Sequence, residues 1–203
     1  MSAPPKTVLA VSPEEEASIR DAVRGVDVAT MGFGRVAASA GHVEAALDFL
    51  NDPAVSAPIY DLPRPLTRES VAAWIAVSEE ERARGEGLLV FTADPQGVIH
   101  GYSKITVWPD RSAAELAGAL RATLQSAGSG GAGAMATVDW IFANLKVRLM
   151  CLTAATDNVR SAKLIDRIGF VRMGERDAVR PDGTTRRSLY WEMTREAWER
   201  AKV

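Results

Sequence analysis

The sequence predicts an α/β (α+β) domain in which helices flank a single mixed sheet of about seven strands, and three observations lead there. Apolar or β-branched runs at 88–93 and 98–107 are joined by Asp94-Pro95-Gln96-Gly97, a turn sequence with proline at its second position. Runs at 171–179 and 186–193 are joined in the same way by Arg180-Pro181-Asp182-Gly183, so both pairs read as antiparallel hairpins. Between them, a strand-like run from 113 and a short apolar run at 148–153 are separated by a whole helical stretch, which makes a parallel crossover their natural relation.

The remaining elements follow in order. Residues 1–11 hold Pro4 and Pro5 and no periodicity, and read as a mobile lead-in. Ser12-Pro13-Glu14-Glu15 supplies a capping serine, a proline at the first helical position and an acid at the third, predicting a helix to about Val23. The stretch 32–39 reads as the first strand, and Val43, Ala46, Leu47 and Leu50 give the next helix one apolar face. Residues 51–66 carry prolines at 53, 58, 63 and 65, interleaved with Asp52, Tyr60, Asp61 and Arg64, in a loop too long to be a mere connection. Thr67 caps a helix on which Val71, Trp74, Ile75 and Ser78 align before Gly85 ends it. Trp108-Pro109-Asp110 turns the chain into the fourth strand, Met135, Val138, Phe142 and Leu145 mark a helix over about 129–146, and 158–168 forms another. Internal repeats and a second composition zone are absent, so residues 1–30 read as an N-terminal extension with a short helix and 31–203 as one domain.

Composition narrows the function classes. At 203 residues, 47% hydrophobic and 25% charged, the chain has the make-up of a soluble globular protein with a substantial core. The N-terminus lacks a basic segment followed by an apolar run, and no stretch reaches membrane-spanning length, so the expected location is the cytoplasm with no membrane partner. A net charge of −2 argues against nucleic-acid binding. Cys151 is the one cysteine; it excludes an internal disulfide, speaks against a cysteine metal site, and reads as a small buried core residue. No metal is expected.

The chemistry concentrates in two stretches. Residues 125–135, QSAGSGGAGAM, lie between the fourth strand and a helix; small residues let the backbone approach a ligand, and the free N–H groups of a helix start attract anions. A flexible linker is the plain alternative. Residues 151–170, CLTAATDNVRSAKLIDRIGF, give a short strand, a capped helix and a Gly-Phe ending. Together these resemble the GNAT superfamily of acyl-CoA-dependent N-acetyltransferases. Gln125, Gly128 and Gly130 fit its Gln/Arg-x-x-Gly-x-Gly/Ala pyrophosphate motif, and Asn158, Ser161, Gly169 and Phe170 fit its Asn-x-x-Ser…Gly-Phe signature. The 62–67 segment LPRPLT, Ala114-Glu115-Leu116 and the closing 191–194 segment WEMT resemble the branch containing the ribosomal-protein N-terminal acetyltransferases of RimJ/RimL type.

The resemblance implies a GNAT fold from residue 32 onward, with a mostly antiparallel, twisted sheet whose parallel pair splays apart to admit the pantetheine arm of acetyl-CoA. Carried onto this sequence, it implies cofactor contacts from the backbone of Leu120 and Ala122, with the Leu120 N–H on the thioester oxygen. The pyrophosphate would lie on Gln125, Ser126, Gly128, Ser129, Gly130 and Gly131, with Asn158 nearby. Many members place a tyrosine acid seven residues after the asparagine; here that position is Ile165, and Ser161 matches the serine proposed for the ribosomal branch. Glu115 matches the branch's glutamate and is the candidate base, although strand alternation puts it on the face opposite Leu120; Glu175 and Asp177 are the other candidates. Asn158 reads equally as a helix cap and Ser161 as a packed hydroxyl, while Arg160, Lys163 and Arg167 form a basic stripe that is most simply solvated.

The expected activity is acetyl transfer from acetyl-CoA, by direct attack, to a primary amine on a peptide, a protein N-terminus or a small molecule, by a monomer or homodimer. A terminal amine of pKa about 7.8 is about one-third neutral at pH 7.5, a lysine amine about one part in a thousand, so weak acid–base machinery favours the former. The acceptor is expected against the 51–66 loop and the 180–185 hairpin, where Asp52, Asp61 and Asp182 read either as groups that attract a cation or as plain exposed turn residues. A non-catalytic acyl-CoA-binding module of the same fold is the alternative. A nucleotide-binding module is disfavoured because no Lys-Ser/Thr follows the glycine loop.

Overall fold

A computed structural model describes residues 4–59, 61–121, 123, 129–179 and 183–201. The chain begins with α1 (Pro13–Gly25), whose start is fixed as the sequence predicts: Ser12 accepts a hydrogen bond from the Glu15 N–H at 3.2 Å, and three glutamates occupy the first turn. The first strand, β1 (Arg35–Ala37), is shorter than expected. Gly32, Phe33 and Gly34 adopt φ of 72°, 56° and 66°, so the chain is still turning where extended backbone was expected. α2 (Val43–Leu50) follows, and the proline-rich loop contains a short helix of its own, α3 (Pro53–Ser56), capped by Asp52 accepting from Ala54 N–H at 2.9 Å. A reciprocal Thr67–Ser70 capping box opens α4 (Arg68–Arg84), and Gly85 closes it in a left-handed turn.

The sheet comprises β2 (Gly87–Ala93), β3 (Ile99–Trp108), β4 (Ala113–Leu120), β5 (Leu149–Ala155), β6 (Val171–Val179) and β7 (Thr185–Thr194) together with β1, in the order β1-β2-β3-β4-β5-β7-β6. Both predicted hairpins are present, and every pairing is antiparallel except β4–β5, the expected crossover. The crossover carries α5 (Ser129–Asn144), and α6 (Val159–Arg167) links β5 to β6. A last helix, α7 (Arg195–Arg200), was not legible in the periodicity; Thr194 caps it and Trp198 anchors it by donating to Asp139 Oδ1 at 2.6 Å.

One face of the sheet is covered by α1, α5, α6 and α7, whose Ile19, Val138, Ile141, Ile165 and Trp198 pack with Val90, Ile105, Ala114, Met150 and Trp191. On the other face, α2, α4 and the loop between them cover β1–β3, with Phe49, Leu62 and Ile75 packing on Leu89, Phe91 and Tyr102. The rest of that second face, Ala113, Leu149, Cys151 and Tyr190, is covered by Leu9 of the N-terminal segment with Trp108 and Met173. Residues 4–11 are therefore not the mobile lead-in the composition predicts. Lys6 N–H donates to Glu192 Oε1 at 2.7 Å, Lys6 Nζ to the Met173 carbonyl at 2.7 Å, Arg176 to the Pro4 carbonyl at 3.0 Å and Arg148 to the Ala10 carbonyl at 2.6 Å. A segment without periodicity is held by side chains that arrive from far along the chain, which a local pattern does not register.

Candidate active site

The geometry of the site begins with where the parallel pairing stops. β4 and β5 are in register only at Ala113–Leu149, Ala114–Met150 and Glu115–Cys151, while both strands continue, β4 to Leu120 and β5 to Ala155. Beyond Glu115 the strands form the two arms of a fork. β4 follows β3 instead, staying in unbroken register with it from Trp108–Ala113 to Gly101–Leu120. Two glycines permit that close partnership. A Cβ on Gly118 would lie 2.3 Å from the Tyr102 carbonyl oxygen, and one on Gly101 would lie 2.8 Å from the Ala119 carbonyl oxygen.

The backbone ladder sets which groups line the gap. Arg121 N–H donates to the His100 carbonyl at 2.8 Å, so odd-numbered residues of β4 direct their backbone groups to β3 and even-numbered ones toward β5. Leu116, Gly118 and Leu120 thus present main-chain amides to the fork. An extended arm carrying its own amides fits such a gap, since the β4–β5 register ends at Glu115 while both strands run on.

Side chains follow the opposite alternation. With no bulge in the β3–β4 register, Glu115 lies on the second face of the sheet and Leu120 on the first, as strand alternation requires. Glu115 is only 3% exposed, and its Oε1 accepts a hydrogen bond from Thr153 Oγ1 at 2.9 Å. Next to it Cys151 has its thiol pKa pushed up to about 12, chiefly by burial and further by the charges of Glu115 and Glu192. It is a protonated, inert thiol, in keeping with the expected core role. Tyr190 Oη, 3.2 Å from Cys151 Sγ, donates to Glu192 Oε1 at 2.5 Å, and burial with these neighbours raises the phenol's pKa.

The other sequence-selected residues divide by place. Asn158 caps α6: its Oδ1 accepts from Ser161 N–H at 3.0 Å, the structural reading of that residue. Ser161 is half-buried in the first turn of α6, on the first face, whereas Glu115 projects from the second. Some 13 Å of strand separates Cys151, at the closed end of the fork, from Ala155 at its open end, where α6 begins. The structure therefore does not set the two candidate catalytic side chains next to each other; they flank the gap from opposite faces. Ile165 is 7% exposed and packed in the core, so an apolar contact occupies the position where the resemblance implies an acid.

Ser129, Gly130 and Gly131 form the first turn of α5 at the open end, and a Cβ on Gly131 would lie 3.1 Å from Leu164 Cδ1, giving that glycine a helix-packing role. Ala122, Gln125, Ser126 and Gly128 lie outside the described residues, as do Tyr60 and Asp182. Glu175 and Asp177 are engaged on β6 by Arg187, at 2.6 Å and 3.5 Å, away from the fork. Asp52 is spent on its helix cap. Asp61 is in the same loop: burial raises its carboxyl pKa, opposed by a backbone hydrogen bond and by the charges of Lys104 and Arg186. Lys104 pairs with Glu81 of α4, and Arg186 of β7 donates to the Pro58 carbonyl at 3.1 Å, joining the loop to the last hairpin beside the fork. Sequence reasoning missed Thr153 and Gly118. The signal for the former was one polar residue two positions after Cys151 in an otherwise apolar strand, hence on the same face.

Residues 35–171 match the family model described as an acetyltransferase (GNAT) domain, and the chain belongs to that family: it is an acetyl-CoA-dependent acyltransferase. Solved structures share the fold at low identity. A ribosomal-protein-S5-alanine acetyltransferase from Vibrio fischeri superposes with TM-score 0.67 at 15% identity, over 81% of this chain and 93% of that one. A RimL ribosomal L7/L12 alpha-N-protein acetyltransferase in complex with coenzyme A gives 0.66 at 17%, over 80% and 94%. YncA, a putative acetyltransferase from Salmonella typhimurium with its cofactor acetyl-CoA, gives 0.58 at 16%, over 79% and 92%. No curated protein sequence matches the chain. Among the described residues no helix is long and apolar enough to cross a membrane, and no group of three or more His, Cys, Asp or Glu side chains could hold a metal ion.

Proposed function

We propose that this acetyltransferase acts on a primary amine of low pKa, foremost the α-amine of a peptide or protein N-terminus and otherwise a small-molecule amine. The observation that carries the proposal is the fork with Glu115 at its apex. Acetyl-CoA enters between the arms from the open end, with the main-chain amides of Leu116, Gly118 and Leu120 along its extended arm. The Leu120 N–H is assigned to the thioester oxygen, where a donor aimed at developing negative charge contributes on the order of 3 kcal/mol. The amides of 126–131 are assigned to the pyrophosphate, with Ala122, Gln125 and Asn158 around them.

The acceptor approaches from the second face, beside Asp61 and the 51–66 loop. Glu115 removes a proton as the amine attacks the thioester carbon, the C–S bond breaks, and Ser161 hands its proton to the departing thiolate as it takes one from solvent, while Glu115 returns its own to solvent. The ribosomal-protein acetyltransferases that share the fold favour a peptide acceptor. So does acid–base economy: with Ile165 in place of a phenol, an amine already partly neutral at pH 7 needs the least assistance.

Release of free CoA thiol against a panel of N-terminal peptides, amino sugars, polyamines and lysine tests the proposal, with an acetyl-CoA thermal shift alongside. Thiol release with peptide N-termini is the expected result. Robust acetylation of lysine side chains with none on N-termini overturns the acceptor assignment. A thermal shift with no release on any acceptor supports the second reading, a binding module, which the buried Ile165 favours.

A further inference from the structure

We infer that Thr153 is a positioning residue that holds the Glu115 carboxylate ionised and oriented at the apex of the fork; this rests on the reading of Glu115 as the base. Thr153 lies on the β5 arm, two residues beyond Cys151, which is the last partner of Glu115 in the β4–β5 register. Its hydroxyl therefore reaches back across the start of the gap to Glu115 Oε1 at 2.9 Å, tying one arm to the apex by a side-chain bond where main-chain pairing has ended. A hydroxyl donor favours the charged form of a carboxylate, which a base that is only 3% exposed needs, since burial favours the neutral form. Threonine suits the task better than serine because β-branching restricts χ1 and fixes where the hydroxyl points.

The titratable and charged groups on this face are Cys151, Tyr190, Glu192, Lys104, Asp61 and Arg176, the last lying 3.7 Å over the Tyr190 ring. Cys151 stays a neutral thiol, Tyr190 and Glu192 are bonded to each other, Lys104 is paired with Glu81, and Asp61 belongs to the acceptor loop. The charge of Lys104 acts on Asp61 and on its partner Glu81. Thr153 acts on Glu115 through a directed bond.

The test compares wild type, Thr153→Val and Thr153→Ser by kcat/KM across pH 5.5 to 9 with one acceptor. In the ratio of wild type to variant the acceptor's own ionisation cancels. Valine keeps the shape and loses the donor, so the Glu115 pKa rises and the ratio grows about 3- to 10-fold toward low pH. At high pH the ratio falls toward unity. Serine restores most of the lost activity, and the acetyl-CoA thermal shift is unchanged in both variants. A ratio flat with pH overturns the inference.

Glu115→Gln separates this inference from the reading beneath it. If that variant keeps activity, Glu115 is not the base. If it loses activity while the Thr153→Val ratio stays flat, only the role of Thr153 falls. Titration of the Glu115 side-chain carboxyl by ¹³C NMR in wild type and Thr153→Val reads the same shift without turnover, and equal pKa values there also overturn the inference.

Discussion

Glu115 and Glu192 sit on the same face of the sheet on either side of Cys151, which is the register partner of both. They are 3% and 4% exposed, so burial does not distinguish them. Their surroundings do. Glu192 receives the Lys6 and Thr7 amides at 2.7 and 3.2 Å, the Thr7 hydroxyl, and the Tyr190 hydroxyl at 2.5 Å; it fastens the N-terminal segment to β7. Glu115 lies where main-chain pairing ends, and Thr153 approaches it from the diverging arm. One carboxylate closes a structure and the other stands at the entrance to a gap. A buried acid points to function when the backbone around it has been left open, and to architecture when donors close around it.

The sharpest way to break this comparison is to neutralise each side in turn. Glu115→Gln should lower kcat/KM for acetyl transfer about 10²- to 10⁴-fold, the range for loss of a positioned base, while the thermal shift with acetyl-CoA persists. Glu192→Ala should do the reverse. Leaving the Tyr190 and Thr7 donors without their acceptor costs on the order of 3 kcal/mol in denaturant unfolding, and activity per folded molecule is retained. Equal catalytic losses from the two substitutions would erase the distinction.

The acidity of Glu192 sharpens it further. Burial raises its pKa, yet the hydrogen bonds from Thr7, Tyr190 and the two amides outweigh burial and leave it lowered. A carboxylate with a depressed folded pKa stabilises the fold fully above its unfolded value, about 4.3, and loses that contribution as pH falls through the folded value. The stability margin of wild type over Glu192→Gln should therefore hold from neutral pH down to about 4.3 and shrink below it, as read by urea unfolding at a series of pH values.

A smaller effect is expected where the fork itself is made. Gly118→Ala places a methyl against the Tyr102 carbonyl and forces β3 and β4 apart, so acetyl-CoA affinity should fall about 10-fold by titration calorimetry, with a modest loss of stability. The smallest effect tests Cys151, which lies between the two acids. With its thiol pKa near 12 and no exposure, it should not react with a thiol reagent in the native protein, and should yield one equivalent after unfolding. Rapid native labelling would show that the rung between Glu115 and Glu192 opens to solvent.

Much of this molecule was determined locally. The Ser12 and Thr67 caps, the left-handed Gly85, the proline turns and the helix separating two short strands are decided by interactions within a few residues, and they yield the hairpins and the crossover directly. The family resemblance was legible for a related reason: the helix start after the glycine-rich run and the Asn158 cap are local backbone devices with fixed residue needs. Tertiary structure alone decided the rest. Where β4 leaves β5 depends on how closely Gly101 and Gly118 let β3 hold β4, a contact between strands that alternation within one strand does not reveal. The N-terminal segment was bound by Glu192, Arg148 and Arg176, more than a hundred residues away. Two glutamates with the same burial came to different surroundings because one met donors from that returning segment and the other met the end of a ladder and Thr153. Sequence specifies which groups a chain carries and how each short stretch is shaped; which groups face each other is set only when distant strands choose their register.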